Sequence, residues 1–162
     1  MTTPQRDLFL IAGIPGTGKT TFGEALAKEF GFAHYDLEEP KIVNRCATDP
    51  ARFIDEIMQD GSNVVVTWGF VPDHAYSVQT VLQFRQSGFK MVWFDGNRSA
   101  ALAQFRKRGT VSDPLFQLQM KRIENSAIID RLRPAVVNPF DEHERFKPAN
   151  VRIPVKSIRA PA

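Results

Sequence analysis

The segment Asp7–Leu26, DLFLIAGIPGTGKTTFGEAL, constrains the fold of this chain more than any other. Leu8 to Ala12 is a continuous apolar run closing on Gly13, the pattern of a strand covered on both faces. Phe22, Leu26 and Phe30 then fall at i, i+4 and i+8 with Ala25 beside them, which predicts a helix face that Gly31 ends. Between the two, Gly13-Ile14-Pro15-Gly16-Thr17-Gly18-Lys19-Thr20 matches G-x-x-x-x-G-K-[ST] in the setting that pattern requires. Glycines let the backbone turn its N–H groups inward around a polyphosphate, and a helix amino terminus adds partial positive charge at the same point. Gly13 to Thr21 is therefore the expected nucleotide-binding stretch. Lys19 reaches the β- and γ-phosphates and counts as catalytic, and Thr20 offers its hydroxyl to Mg²⁺.

Downstream, strands and helices alternate. Phe32–Asp36 is a second strand candidate, helical material is expected in Glu38–Cys46 and Ala51–Gln59, and Val64–Thr67 is a β-branched third strand. Ala75, Val78, Val81 and Leu82 mark the next helix face, with Asp73 as its cap and Gly88 closing it. Met91–Phe94 reads as a fourth strand. Ala101, Leu102 and Phe105 support one helix, and Phe116, Met120, Ile123 and Ala127 another running from Asp113 to Leu132. Such alternation predicts an α/β fold: three layers of the P-loop NTPase type, a mostly parallel sheet of about five strands with helices on both faces. One domain over residues 1–162 is expected, with a proline-rich tail from about 134 in which Val151–Ile153 is a possible last strand.

Charge narrows the partners. With 21 basic and 18 acidic residues the net charge is +3, which favours anionic ligands, but no dense basic run argues for nucleic acid. The single cysteine, Cys46, excludes an internal disulfide and suits a reducing cytoplasm. The first residues lack a signal-peptide profile, and the early apolar run is too short to span a bilayer. His34, His74 and His143 lack the spacing of a zinc site. Nothing decides between monomer and homodimer.

No asparagine is followed by lysine, so the N-K-x-D element of a guanine-specific GTPase is missing and ATP is the favoured nucleotide. The third strand ends Val66-Thr67-Trp68-Gly69 without the carboxylate that motor and AAA-type ATPases place there. Phe94-Asp95 could substitute only if the sheet set it beside the phosphate loop.

With the segments FAHYDLEE, VVVTWGFVP and VWFDGNRSAALAQFRKRGTVSDPLF, the chain resembles the small P-loop kinases of the adenylate-kinase-like fold, most of all the shikimate kinase and gluconate kinase group. That resemblance implies ATP-dependent transfer to a hydroxyl of a small polar metabolite. It implies that Asp36 helps hold Mg²⁺, or serves the acceptor, and that Glu38 contacts the acceptor. Carboxylates at i and i+2 of a strand end also suit that chemistry on physical grounds, since one of them can orient or deprotonate a hydroxyl. A solvated loop with helix-capping acids is the competing explanation. Trp68 and Gly69 fall where substrate would approach the third strand, although Trp68 equally suits the core. Arg106 and Arg108 fall in an expected lid around 106–116, as catalytic cations on the transferring phosphoryl group or as a helix end complementing its dipole. Shikimate kinases carry R-P-L-L in the lid where this chain has Asp113-Pro114-Leu115-Phe116, so shikimate itself is disfavoured. A nucleotide-binding switch or ATPase working through a protein partner, and a nucleotide or polynucleotide end kinase, stay open beside the metabolite kinase.

Overall fold

The computed structural model describes residues 5–69, 75–107, 112–143 and 145. Along the chain lie β1 (Leu8–Gly13), α1 (Lys19–Phe30), β2 (Ala33–Asp36), α2 (Pro40–Thr48), α3 (Pro50–Met58), β3 (Val64–Thr67), α4 (Ala75–Gln86), β4 (Lys90–Phe94), α5 (Arg98–Lys107), α6 (Asp113–Ser126), α7 (Ile128–Leu132) and β5 (Ala135–Val137). The strands form one parallel sheet of order β2-β3-β1-β4-β5. The expected α/β architecture is the one observed.

Alternation along each strand builds the layers. Phe9, Ile11, Val65, Val92 and Phe94 face Phe22 and Leu26 of α1 on one side of the sheet. Leu8, Leu10, Ala12, Val64, Val66, Met91 and Trp93 face the other, against Phe53, Phe84, Phe105 and Phe116 from α3, α4, α5 and α6. Because both faces are covered, β1 is buried along its whole length, which is why it reads as an unbroken apolar run. The order reverses around β1: α1 and β2 carry the chain to one side, and β4 follows on the other. That reversal makes β1 a topological switch point, and α/β sheets take ligands at the carboxyl ends of the strands beside such a point.

Four details depart from the sequence reading. The predicted helix face included Phe30, but that ring is 45% exposed. Gly31, in the left-handed region, instead turns Phe32 inward to stack on Phe9 at 6.1 Å. In α4, Leu82 points outward while Phe84 is buried, packing edge-on to Phe89. The buried face there runs through Ser77, Thr80, Val81 and Phe84. Its hydroxyls disguise the period, and the Thr80 hydroxyl is satisfied by donating to the Tyr76 carbonyl at 3.0 Å.

The single helix expected from Asp113 to Leu132 breaks at Ala127, which has φ 51°. The Ser126 hydroxyl donates back to the Ile123 carbonyl at 2.7 Å, competing with the helix ladder, and the break lets Ile128 and Leu132 enter the core. Finally, α2 and α3 begin at Pro40 and Pro50, since a proline suits the first helical position, and the Asp49 carboxylate caps α3 by accepting from the Arg52 N–H. The last described strand is β5; Asp73 and Val151–Ile153 lie outside the described residues. No helix among the described residues is long and apolar enough to cross a membrane.

Candidate functional site

The glycine loop leaves the end of β1 and is held by its neighbours. Gly13 has φ 149°, and a methyl group on it would run into the Phe94 backbone, 2.7 Å from the nitrogen. The Ile14 N–H donates to the Phe94 carbonyl at 3.0 Å, and the Ile14 side chain is a core anchor. At Gly16 (φ 76°) an added Cβ would run into the Ala101 carbonyl and fall 3.2 Å from the Phe105 nitrogen, so α5 packs closely onto the loop. Pro15 between them is half-buried. The buried Thr17 hydroxyl closes the turn by donating to the Ile14 carbonyl at 2.8 Å.

Gly18, also left-handed, is the N-cap of α1 and offers no side chain to its first N–H groups, and no acidic residue occupies the first turn. A helix start without a side-chain cap favours an anion at the positive end of its dipole. Lys19 is buried, with its ammonium donating to the carbonyls of Ile14 at 2.8 Å and Gly13 at 3.4 Å. The Thr20 hydroxyl donates to Asp36 Oδ2 at 3.1 Å, bringing the loop and the end of β2 together; Thr21 is exposed. The other Asp36 oxygen accepts from the Glu38 N–H at 2.9 Å, which fixes the carboxylate from its far side.

On the expected acceptor side, the Glu38 carboxylate lies over Gly69, where a side chain on Gly69 would collide with Oε1. Glu38 and Gly69 are both exposed. Trp68 turns the other way and is buried in the core cluster on the face opposite α1. Arg106, in the last turn of α5, makes a two-pronged ion pair with Asp113, through Nε to Oδ1 at 2.9 Å and Nη2 to Oδ2. The pair raises the Arg106 guanidinium above its ordinary range and, chiefly through the same hydrogen bonds, holds the Asp113 carboxyl below its own. Arg108 lies outside the described residues. Asp95 does stand beside the loop, since β4 neighbours β1. Its oxygens, however, accept from the Gly96 N–H at 2.8 Å and the Trp93 indole at 3.4 Å, and Arg98 sits at 3.4 Å.

A model of the ATPase family associated with various cellular activities (AAA) matches residues 9–68, the stretch from β1 through the end of β3. A comparison with curated proteins finds no match in sequence. Among solved structures, a gluconokinase from Sinorhizobium meliloti 1021 superposes with a TM-score of 0.55 at 18% identity, covering 91% of this chain and 89% of that one. A shikimate kinase from Acinetobacter baumannii, in complex with shikimate, gives 0.56 at 17%, covering 87% and 88%. One from Bacteroides thetaiotaomicron gives 0.53 at 18%, covering 85% and 90%. The fold is that of the small P-loop kinases.

Within this kinase fold, two residues of the site escaped the sequence reading. Thr67, at the end of β3, is buried, and Asp36 is its register partner on β2. Its hydroxyl is 2.8 Å from His34 Nε2. Burial lowers the His34 pKa, with Asp36, Glu24 and Glu39 opposing, so the ring is neutral at neutral pH. The available signals were the one polar side chain ending VVVT and a glycine, Gly23, inside α1.

Thr20 and Asp36 are hard oxygen donors in contact with each other, and Mg²⁺ in kinase folds takes one or two protein oxygens with phosphates and water completing the shell. The donor set fits. Among the described residues no cluster of three or more His, Cys, Asp or Glu offers an alternative metal site.

Proposed function

We propose that the chain is an ATP- and Mg²⁺-dependent phosphotransferase acting on a hydroxyl of a small polar metabolite, in the cytoplasm. The observation that carries this reading is the Thr20–Asp36 hydrogen bond, which couples the phosphate loop to a carboxylate at the end of β2. P-loop switches also pair the loop hydroxyl with a metal-holding aspartate; the second carboxylate, Glu38 over Gly69, is what a loop that only sensed a nucleotide would not need, and it supports an acceptor side.

In this reading the loop from Gly13 to Thr20 cradles the phosphates with backbone N–H groups, and Lys19 exchanges its carbonyl partners for phosphate oxygens. Mg²⁺, when bound, neutralises charge on the phosphates. Thr20 and Asp36 would hold it, and Asp36 or Glu38 orients the acceptor hydroxyl and takes its proton as the new P–O bond forms and the bond from the γ-phosphorus to the β,γ-bridging oxygen breaks, releasing ADP. Arg106, and Arg108 beyond it, complete the positive clamp as a lid around 106–116 folds over the nucleotide. Gly69 leaves room for the acceptor beside the Glu38 carboxylate, and Trp68 supports that room from the core. Asp113 in the lid argues against an acceptor recognised through a carboxylate at that position.

The test is a screen of sugars, polyol acids, nucleosides and aminoglycosides for ADP release above the no-acceptor background in the presence of Mg²⁺. With the acceptor found, Asp36→Asn is expected to lower turnover by about 10²- to 10⁴-fold with little change in metal-free ATP affinity. Lys19→Ala is expected to remove most transfer while the circular dichroism stays that of the parent. Release that stays flat across the whole screen would overturn the reading in favour of a nucleotide switch.

A further inference from the structure

We propose that His34 is a positioning residue, an aromatic spacer between α1 and the β2–β3 edge that sets the separation of Thr20 and Asp36. This rests on the reading of those two residues as the metal-holding pair.

The need for a spacer follows from the strand. β2 is four residues long, half-buried throughout, and lies at the sheet edge with only β3 beside it. Such a strand has little packing of its own to hold its last residue in place. Yet Asp36 must meet a side chain from α1 to within a few tenths of an ångström, because donors that hold a metal tolerate little looseness.

His34 answers that need in two directions. Across the sheet, its Nε2 and the Thr67 hydroxyl lie 2.8 Å apart. Thr67 is the register partner of Asp36, so the bond crosses diagonally from β2 to β3 immediately below the carboxylate. It pins the strand end whichever of the two partners supplies the proton. Toward the helix, the ring abuts Gly23. A Cβ on Gly23 would fall 2.7 Å from the imidazole Cδ2 and 2.8 Å from Cε1.

Gly23 is an interior residue of α1, where glycine is less favourable than alanine. The close approach of the ring gives that glycine a reason. Gly23 also follows Thr20 by three positions and Lys19 by four, so the face of α1 that presents both to the site is the face seated on His34. The imidazole therefore fixes how near α1 comes to β2 and how β2 is tied to β3. The Thr20–Asp36 hydrogen bond is the geometric product of both.

The experiment uses the full chain and measures ATP binding by calorimetry with and without Mg²⁺, a readout that needs no acceptor, alongside thermal unfolding. The parent is expected to bind ATP more tightly with Mg²⁺ than without. His34→Ala and Gly23→Ala are expected to lose at least about tenfold of that Mg²⁺ enhancement while metal-free binding stays within about twofold. His34→Gln keeps a donor near the Nε2 position and restores most of the enhancement. Thr67→Val, nearly isosteric, loses part of it even should His34→Ala fail to fold.

If His34→Ala and Thr67→Val both lower only the unfolding temperature and keep the full enhancement, the positioning role is overturned while the kinase reading stands. If the parent shows no Mg²⁺ enhancement, the reading of Thr20 and Asp36 falls, and this inference with it.

Discussion

At the scale of single residues, burial decides chemistry. Cys46 is buried in α2, and that burial pushes its thiol up to about 11, with the Tyr76 hydroxyl only partly opposing. A folded-state pKa above the unfolded value favours the native state at pH values below the ordinary thiol range, and the gain is lost as pH rises toward 11. At pH 8 about one thiol in a thousand is ionised in the native state. An aromatic disulfide reagent is therefore expected to label Cys46 only in urea, at a native rate at least about a hundredfold below the unfolded control. Labelling of the native protein at the control rate would show that Cys46 is not where the fold puts it. The glycines, Lys19 and Thr20 of the phosphate loop fall at a contiguous spacing, so their pattern is legible in the sequence. The contact between His34 and Thr67 is made by residues far apart along the chain, and a histidine in a short half-buried strand has no periodic mark to distinguish it.

At the scale of elements, strands were legible where both faces are apolar and helices where one face is. β1, β3 and β4 lie close to where their apolar runs predict. What the pattern hid has identifiable causes. In α4 the buried positions Ser77 and Thr80 are hydroxylated, so the apolar period pointed to Leu82 and overlooked Phe84. Likewise a hydroxyl bonding back to its own turn broke α6 from α7, which an apolar period cannot announce. β5 has only three residues, exposed or half-exposed, and carries no strong strand signal. The orientation of α4 is open to test: Phe84→Ala should cost about 3–5 kcal/mol in urea unfolding, since a fully buried aromatic leaves a cavity. Leu82→Ala should stay within about 0.5 kcal/mol, as exposed positions do. A reversal of those two costs would mean that α4 is rotated about its axis.

At the scale of the molecule, the sheet order makes the glycine loop the meeting point of two arms. On one side β3 and β2 bring Thr67 and Asp36. On the other β4 leads into α5, which packs against Gly16 and carries Arg106 in its last turn. In the proposed function, an arginine carried on a helix that rests against the phosphate loop is well placed to respond to what the loop holds. In the conformation described, however, Arg106 is engaged by Asp113. The sign of the pH dependence follows from Asp113, whose carboxyl is held below its ordinary value by Arg106. The pair is complete above the ordinary aspartate range and is lost only as pH falls through the depressed value, so it is fully formed at neutral pH. To clamp a phosphate, Arg106 must exchange one anionic partner for another. Asp113→Asn removes the competitor and is expected to tighten ATP binding roughly two- to fivefold, a small change because both groups are exposed to solvent. In about 0.5 M salt the gain should shrink as the competing pair is screened. Arg106→Ala combined with Asp113→Asn should abolish it. Calorimetry on the parent, the two single variants and the double variant measures this directly, and equal affinities across all four would place Arg106 outside the nucleotide site.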